Sequence, residues 1–295
     1  VELQQMRYVV AVAETMSFTR AAERCLVVQS ALSHQIARLE RELGARLFER
    51  TSRRVRITPA GEAFLSAARE SLNAAERAAA EVSAAVGEVR GRLAVGLIPT
   101  VAAVDIPDAL RRYRIEYPQV RLSIRVGASE NLADQVRQGI IEVAFLGLPT
   151  SMRPQGVNAR ELARDRLVAV VAPDHPLAGE RTVDLRRLAT EVFIDLPLNT
   201  AGRNQSDEAF AAAGLNREVA FEVTTADFMM ARLVRQGLGI AMLPSMYVPQ
   251  LSDLTTIEIT DAPTRVEYLI WADTGLTPAA TAFLEMLELP PEKDG

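Results

Sequence analysis

Residues 18–44 read FTRAAERCLVVQSALSHQIARLERELG, and this stretch decides the fold of the N-terminal part of the chain. Thr19 to Cys25 reads as a short helix whose inner face is kept thin by Ala21 and Ala22. Leu26, Val27 and Val28 make a tight corner. A second helix runs from about Gln29 to Leu43, and Gly44 stands where a left-handed C-terminal stop belongs. On that helix Leu32, Ile36, Leu39 and Leu43 form an apolar stripe at helical spacing. The opposite side presents Gln29, Ser30, Ser33, His34, Arg38 and Arg41, groups that hydrogen-bond base edges and hold phosphates. Two such helices around a tight turn form a helix-turn-helix, which leads its second helix into the major groove. Taken alone, the stretch also fits a plain helical hairpin with a solvated polar face.

The neighbouring residues weigh against the plain hairpin. Upstream, Leu3, Met6, Val10 and Ala13 fall on one face of a helix from Glu2 to Thr15, and Ser17 is placed to cap the next helix. Downstream, ARLFERTSRRVRIT (45–58) reads as a wing. Leu47 and Phe48 are expected to be buried, Thr51-Ser52 turn the chain, and residues 54–57 alternate as a strand does. Arg50, Arg53, Arg54 and Arg56 would line its tip and outer face, where they can meet phosphates or the minor groove. Thr58, Pro59 and Glu62 then open a helix expected to run to about Val89. Leu65, Ala68, Leu72, Ala75, Ala79, Val82, Val86 and Val89 recur at alternating spacings of three and four, a heptad seam. The seam points to a dimer, with Leu65, Leu72, Val82 and Val86 as its larger contacts; packing on its own domain is the alternative.

Charge divides the chain at the same place. The whole chain of 295 residues is net −5, but residues 1–58 hold ten arginines against six glutamates, while the rest carries 23 basic and 32 acidic residues. A basic head on an acidic body is the footprint of a nucleic-acid-binding domain joined to another function. There is no run of 18 apolar residues and no signal-like N-terminus, and the single Cys25 cannot form an internal disulfide, so the cytoplasm is expected. After GEVRG (87–91) strands and helices alternate, as in an α/β domain of two lobes. Strands are expected near 93–98, 120–126, 143–146, 167–171, 192–195, 219–223, 240–243, 254–259 and 265–272. Helices are expected near 106–117, 132–138, 206–213, 226–236 and 277–289.

The run SFTRAAERCLVVQSALSHQIARLERELGARLFERTSRRVRITPAGEAFL (17–65) resembles the LysR-type transcriptional regulators. LAVGLIPT (93–100), APDHPLA (172–178) and LVRQGLGIAMLP (233–244) extend the likeness over nearly the whole chain. The resemblance implies a winged helix-turn-helix at 1–58, a dimerising linker helix and hinge at 59–91, and a periplasmic-binding-protein-like α/β effector domain at 92–295. Lobe I would span about 92–162 and 267–295, and lobe II about 163–266. It further implies a dimer of dimers acting on double-stranded promoter DNA and on RNA polymerase, controlled by a small-molecule inducer. Gln29, Ser30, Ser33 and His34 stand where such proteins meet bases and phosphates, and Arg53 at the wing tip. The chain departs from the family in having Val28-Gln29-Ser30 where Ser or Thr, Gln, Pro is common, and His34 where Arg is frequent.

Thr100, Ser129, Thr200 and Thr225 each precede or open a proposed helix. Helix N-termini attract anions, although each residue is also a plain N-cap candidate. The family places its inducer at such junctions, so Thr100, Ser129 and Thr225 are expected to line the cleft. Leu146 is expected at a further strand end, and Arg203 as partner of an anionic inducer whose candidate chemistry is a carboxylate. No cofactor is expected: two histidines and one cysteine lie far apart, and no nucleophile motif, GxGxxG or P-loop is present. A solute-binding transport component and an α/β enzyme are the competing functions.

Overall fold

The structure, a computed structural model, describes residues 1–50, 54–273 and 275–287, without the side chains of Arg50, Asp227 and Phe228. The chain divides into two compact units, Val1–Glu88 with Gln138–Ile140, and Val89–Arg137 with Ile141–Gly295. Among the described residues no helix is long and apolar enough to cross a membrane.

The first unit begins with helices α1 (Leu3–Thr15), α2 (Phe18–Arg24) and α3 (Gln29–Leu43). Ser17 caps α2 by accepting from the Arg20 N–H at 3.3 Å. Leu32, Ile36 and Leu39 of α3 are fully buried against Val9, Val12, Ala21 and Ala22, whereas Leu43, the last residue of the expected stripe, is exposed. Gly44 ends α3 in the left-handed conformation at φ 70°. Strands β1 (Phe48–Arg50) and β2 (Val55–Ile57) pair antiparallel as the wing. The Glu40 carboxylate on α3 accepts from the Leu47 and Phe48 N–H groups at 2.8 and 3.1 Å, which fixes how the wing leaves the helix.

Helix α4 spans Pro59–Ala85, four residues short of the expected end, and Thr58 caps it by accepting from the Gly61 N–H at 3.0 Å. Gly61 sits against the wing: a Cβ there would lie 2.2 Å from the Leu47 carbonyl oxygen and 2.6 Å from Ile57 Cγ1. Gly61→Ala is therefore expected to force the first turn of α4 off the wing and cost about 1–3 kcal/mol by overpacking. Amide exchange in α1–α3 and the wing measures it; unchanged protection there would refute the close approach. The heptad seam divides in two. Leu65 and Leu72 are buried inside the single chain, so that half of the seam is taken up by intrachain packing, while Val82 and Val86 are 70% and 75% exposed.

The second unit is α/β. It carries β3 (Gly91–Leu97), α5 (Ile106–Glu116), β4 (Val120–Val126), α6 (Ser129–Arg137), β5 (Val143–Pro149), β6 (Asn158–Val171), β7 (Thr182–Val183), α7 (Leu185–Leu188) and β8 (Val192–Asp195). It continues with α8 (Ala201–Ala212), β9 (Glu218–Glu222), a π-type turn at Ala226–Met230, α9 (Ala231–Arg235), β10 (Ala241–Pro244), β11 (Thr255–Ile259), β12 (Thr264–Trp271) and α10 (Pro278–Met286). The order along the main sheet is β4-β3-β5-β12-β6-β11-β7, with β10 also on β6. The 14-residue β6 changes partners along its length. Asn158–Arg166 pairs with β12, and Leu167–Val171 pairs with β10 and β11. Its second half alternates between two cores and is buried on both faces, as a continuous apolar run requires. Leu167, Ala169 and Val171 pack with Phe193 and Phe210, and Val168 and Val170 with Ala226, Met230 and Val234. A third core holds β3, β5, α5 and α10, where the Tyr113 hydroxyl donates to the Ala279 carbonyl at 2.8 Å.

Candidate DNA-reading surface and effector cavity

The polar side of α3 lies opposite its buried stripe. Gln29, Ser30, His34 and Arg38 are exposed and Ser33 is half-buried. Gln29 Nε2 donates to Ser33 Oγ at 2.7 Å, a one-turn pair that pre-orders the leading edge of the helix. Arg38 reaches only Glu2, at 3.9 Å and exposed, an ion pair too loose to hold it from a phosphate. Val28 occupies the cap position in extended conformation with no side-chain cap bond, as expected of a residue with no side-chain acceptor. Arg56 is exposed on the second wing strand, and Arg54, also exposed, immediately precedes it. Arg50 lies on β1, and Arg53 lies outside the described residues.

The second unit encloses a cavity of about 360 Å³ at the carboxyl ends of its strands. Thr100 follows β3, Ser129 begins α6 after β4, Leu196 and Pro197 follow β8, Thr224 and Thr225 follow β9, and Leu243 and Pro244 end β10. Alternating sheets bind ligands at this end, because loops and helix N-termini converge there. Thr100, Ser129 and Thr225 all line the cavity. None of these three side chains caps a helix. The Thr100 hydroxyl accepts from Arg265 Nη1 at 3.0 Å. Ser129 Oγ exchanges bonds with the N–H and carbonyl of Gly147, each at 3.1 Å, and Thr225 makes no cap bond. Thr200 does cap, accepting from the Arg203 N–H at 3.3 Å.

Two expected site residues are placed elsewhere. Leu146 is buried and does not line the cavity; its neighbour Gly147 does. Successive strand residues face opposite ways, so Gly147 on the cavity side puts Leu146 on the other. Arg203 is held away by bonds to Asp207 at 2.8 Å, Glu222 at 3.1 Å and the Leu196 carbonyl at 3.2 Å. Helix α8 begins at Ala201, five residues earlier than expected, which places Arg203 in the first turn beside these acceptors.

The cation on the cavity wall is Arg265, on β12. It is 5% exposed, and burial pushes its guanidinium below the ordinary value while Glu267 and Asp165 oppose the shift. Glu267, two residues on and so on the same face, accepts from the Ala102 and Ala103 N–H groups at 2.9–3.1 Å. The RVE start of an otherwise apolar strand was a legible signal: two opposite charges on one buried face call for a specific environment. Asp195 is the cavity's carboxylate. Burial raises its pKa from the ordinary value, chiefly against the opposing pull of Arg217.

Two family models cover most of the chain. The LysR substrate binding domain matches residues 87–289, and the bacterial regulatory helix-turn-helix protein of the lysR family matches residues 3–62. The transcriptional dual regulator GltC of Bacillus subtilis is 30% identical over 259 residues, covering 88% of this chain and 85% of that protein. A full-length OxyR variant from Pseudomonas aeruginosa is 26% identical at a TM-score of 0.71, covering 97% of this chain and 93% of the other. Full-length CbnR in complex with its target DNA is 25% identical at a TM-score of 0.67, covering 98% and 99%. With a winged helix-turn-helix in one unit, a cavity-bearing α/β fold in the other, and both family models matched in order, the chain belongs to the LysR family of transcriptional regulators.

Proposed function

We propose that this regulator reads promoter DNA with the leading turns of α3 and the wing arginines, and that a small anionic inducer in the cavity of the second unit controls that binding. The observation carrying the DNA reading is the division of α3 into a fully buried stripe and an exposed row of Gln29, Ser30, His34 and Arg38. Gln29 supplies base readout, since a glutamine amide can bond both adenine N6 and N7, and Arg38, Arg50, Arg53 and Arg54 supply phosphate attraction. The acting form is a dimer of dimers whose linker helices meet through the exposed Val82 and Val86, and RNA polymerase is its downstream partner. An inducer that fits one arrangement of the effector domain better than another shifts the population of the assembly, and with it the spacing of the DNA-reading heads.

The combined Gln29→Ala and Ser33→Ala substitution tests the reading. In a gel shift with DNA from beside the protein's own gene, specific affinity is expected to fall roughly five- to 150-fold, from the ~1–3 kcal/mol that a bidentate base contact contributes. Binding to unrelated duplex is expected to be unchanged, because the phosphate-facing arginines remain. Equal loss on both duplexes would contradict the assignment of base readout to these residues.

A further inference from the structure

The corner that joins α2 to α3 holds two apolar side chains in water. Leu26 is 93% exposed, the highest value for a large apolar side chain among the described residues, and Val28 is 69% exposed. Val27 between them is half-buried and packs against the core of the first unit. The pair stands directly before Gln29, the first residue of α3.

Each is also a poor match to its backbone position. Helix α2 closes in a Schellman arrangement, in which the Val27 N–H donates to the Ala22 carbonyl at 3.0 Å and the Leu26 N–H to the Glu23 carbonyl at 3.1 Å. That closure puts Leu26 in the left-handed region at φ 55°, where glycine or asparagine is the unstrained choice and a leucine Cβ crowds the following carbonyl. Val28 holds the cap position of α3, where Ser, Thr, Asp or Asn would bond an N–H of the first turn and valine bonds none. Glycine at position 26 and serine at position 28 would suit the free protein better on both counts. Local rules broken on an exposed surface, with little packing in return, mark positions kept for function.

We propose that Leu26 and Val28 read thymine, by apolar contact with the C5-methyl groups that thymine presents in the major groove. This rests on the reading above that α3 leads into that groove, which brings the corner before it to the base edges beside those met by Gln29. Thymine carries an apolar group on its major-groove edge, whereas cytosine presents an amino donor. A hydrocarbon surface separates the two: against thymine it gains a methyl contact, and against cytosine it covers a donor that it cannot bond. The favourable term is removal from water of side chains that the free protein leaves exposed. The work is thus divided between the Gln29 amide, which bonds a base edge, and the corner before it, which recognises a methyl.

The test is a deoxyuridine scan. In a duplex that the full-length protein selects, each thymine is replaced in turn by deoxyuridine, which pairs identically and lacks only the methyl group, and affinity is followed by fluorescence anisotropy. The unsubstituted protein is expected to lose about fourfold at one or two thymines of a half-site, the transfer value of one buried methyl group. The Leu26→Gly, Val28→Ser protein is expected to bind the thymine duplex more weakly and to be indifferent to those same replacements. It is also expected to melt no lower than the unsubstituted protein, since glycine fits the left-handed corner and serine can cap α3. Weaker binding by an equally stable protein separates lost contact from lost structure, and the scan on the unsubstituted protein needs no variant at all.

A scan that is neutral at every thymine, while Gln29→Ala with Ser33→Ala still removes sequence preference, would overturn thymine reading and leave the assignment of α3 standing. A penalty undiminished in the Leu26→Gly, Val28→Ser protein would overturn the assignment to these two side chains. A neutral scan together with self-association of the DNA-free protein that this variant loses would give the patch to a second copy of the chain and overturn the proposal. An unsubstituted protein that prefers no duplex would overturn the reading of α3, and thymine reading with it.

Discussion

Arg217→Met is expected to destabilise the effector domain by about 3–5 kcal/mol, the cost of removing one member of a buried charged group. The Arg217 side chain is 3% exposed and has two anionic neighbours. Nη2 forms an ion pair with Asp195 Oδ2 at 2.6 Å, and both Nε and Nη2 donate to Asp207 Oδ1 at 3.0 and 2.6 Å. Its guanidinium also lies 4.9 Å from the ring centre of Phe193 and 5.4 Å from that of Phe210, themselves packed edge to face. Asp207 is partly exposed and keeps Arg203, so Asp195 is the group left stranded.

The pH dependence of that variant follows from Asp195. Burial already raises its pKa, and Arg217 is the largest opposing influence, so removing Arg217 raises it further. A carboxyl whose folded pKa exceeds its unfolded value favours the fold below the unfolded value, and loses that contribution as pH rises through the folded one. The deficit of Arg217→Met is therefore expected to be largest at neutral pH and to shrink as pH falls toward about 4, the unfolded aspartate value. Adding Asp195→Asn should recover part of the loss at neutral pH. Urea titrations monitored on the effector domain measure both effects; a deficit independent of pH and unaffected by Asp195→Asn would show that the aromatic contacts, not the stranded charge, set the cost.

Phe48→Ala is expected to cost the DNA-reading unit about 3–5 kcal/mol, the usual range for emptying a buried phenylalanine site. Phe48 is 2% exposed and meets Phe18 of α2 edge to face, with ring centres 5.8 Å apart. It is also the first residue of β1, paired with Ile57, and its N–H is held by Glu40 of α3. One residue thus joins the wing to both helices of the helix-turn-helix, to α2 by its ring and to α3 by its backbone N–H. Amide exchange in α1–α3 should accelerate while the effector domain keeps its protection, and specific DNA binding should fall with it. Retained protection in α1–α3 would mean that the wing is seated by the Glu40 bonds instead.

The first unit was legible because its patterns are local. Leu32, Ile36 and Leu39 announce their face by spacing, Gly44 its stop and Ser17 its cap. The lower half of the seam was misleading, since a heptad pattern says that Leu65 and Leu72 are buried but not by which chain. In the effector domain, the first half of β6, NARELARDR, passed unread because charged residues alternate along it and β12 takes one of its edges, which no local pattern reveals. The start of α8 was missed because Gly202 and Asn204 are poor helix formers, and tertiary packing overrides that preference. The cavity was half legible. Thr100, Ser129 and Thr225 sit at junctions that spacing marks. Arg265 and Gly147 meet only when β12 pairs beside β5, 118 positions apart along the chain.

Selection of bound duplexes from a random-sequence library, at about physiological salt where phosphate attraction alone is weak, most directly tests whether the exposed row of α3 reads DNA sequence. The full-length protein is expected to enrich one interrupted palindrome, and the Gln29→Ala, Ser33→Ala protein to lose that preference. Recovery of duplexes no different from the starting library with the unsubstituted protein would contradict it.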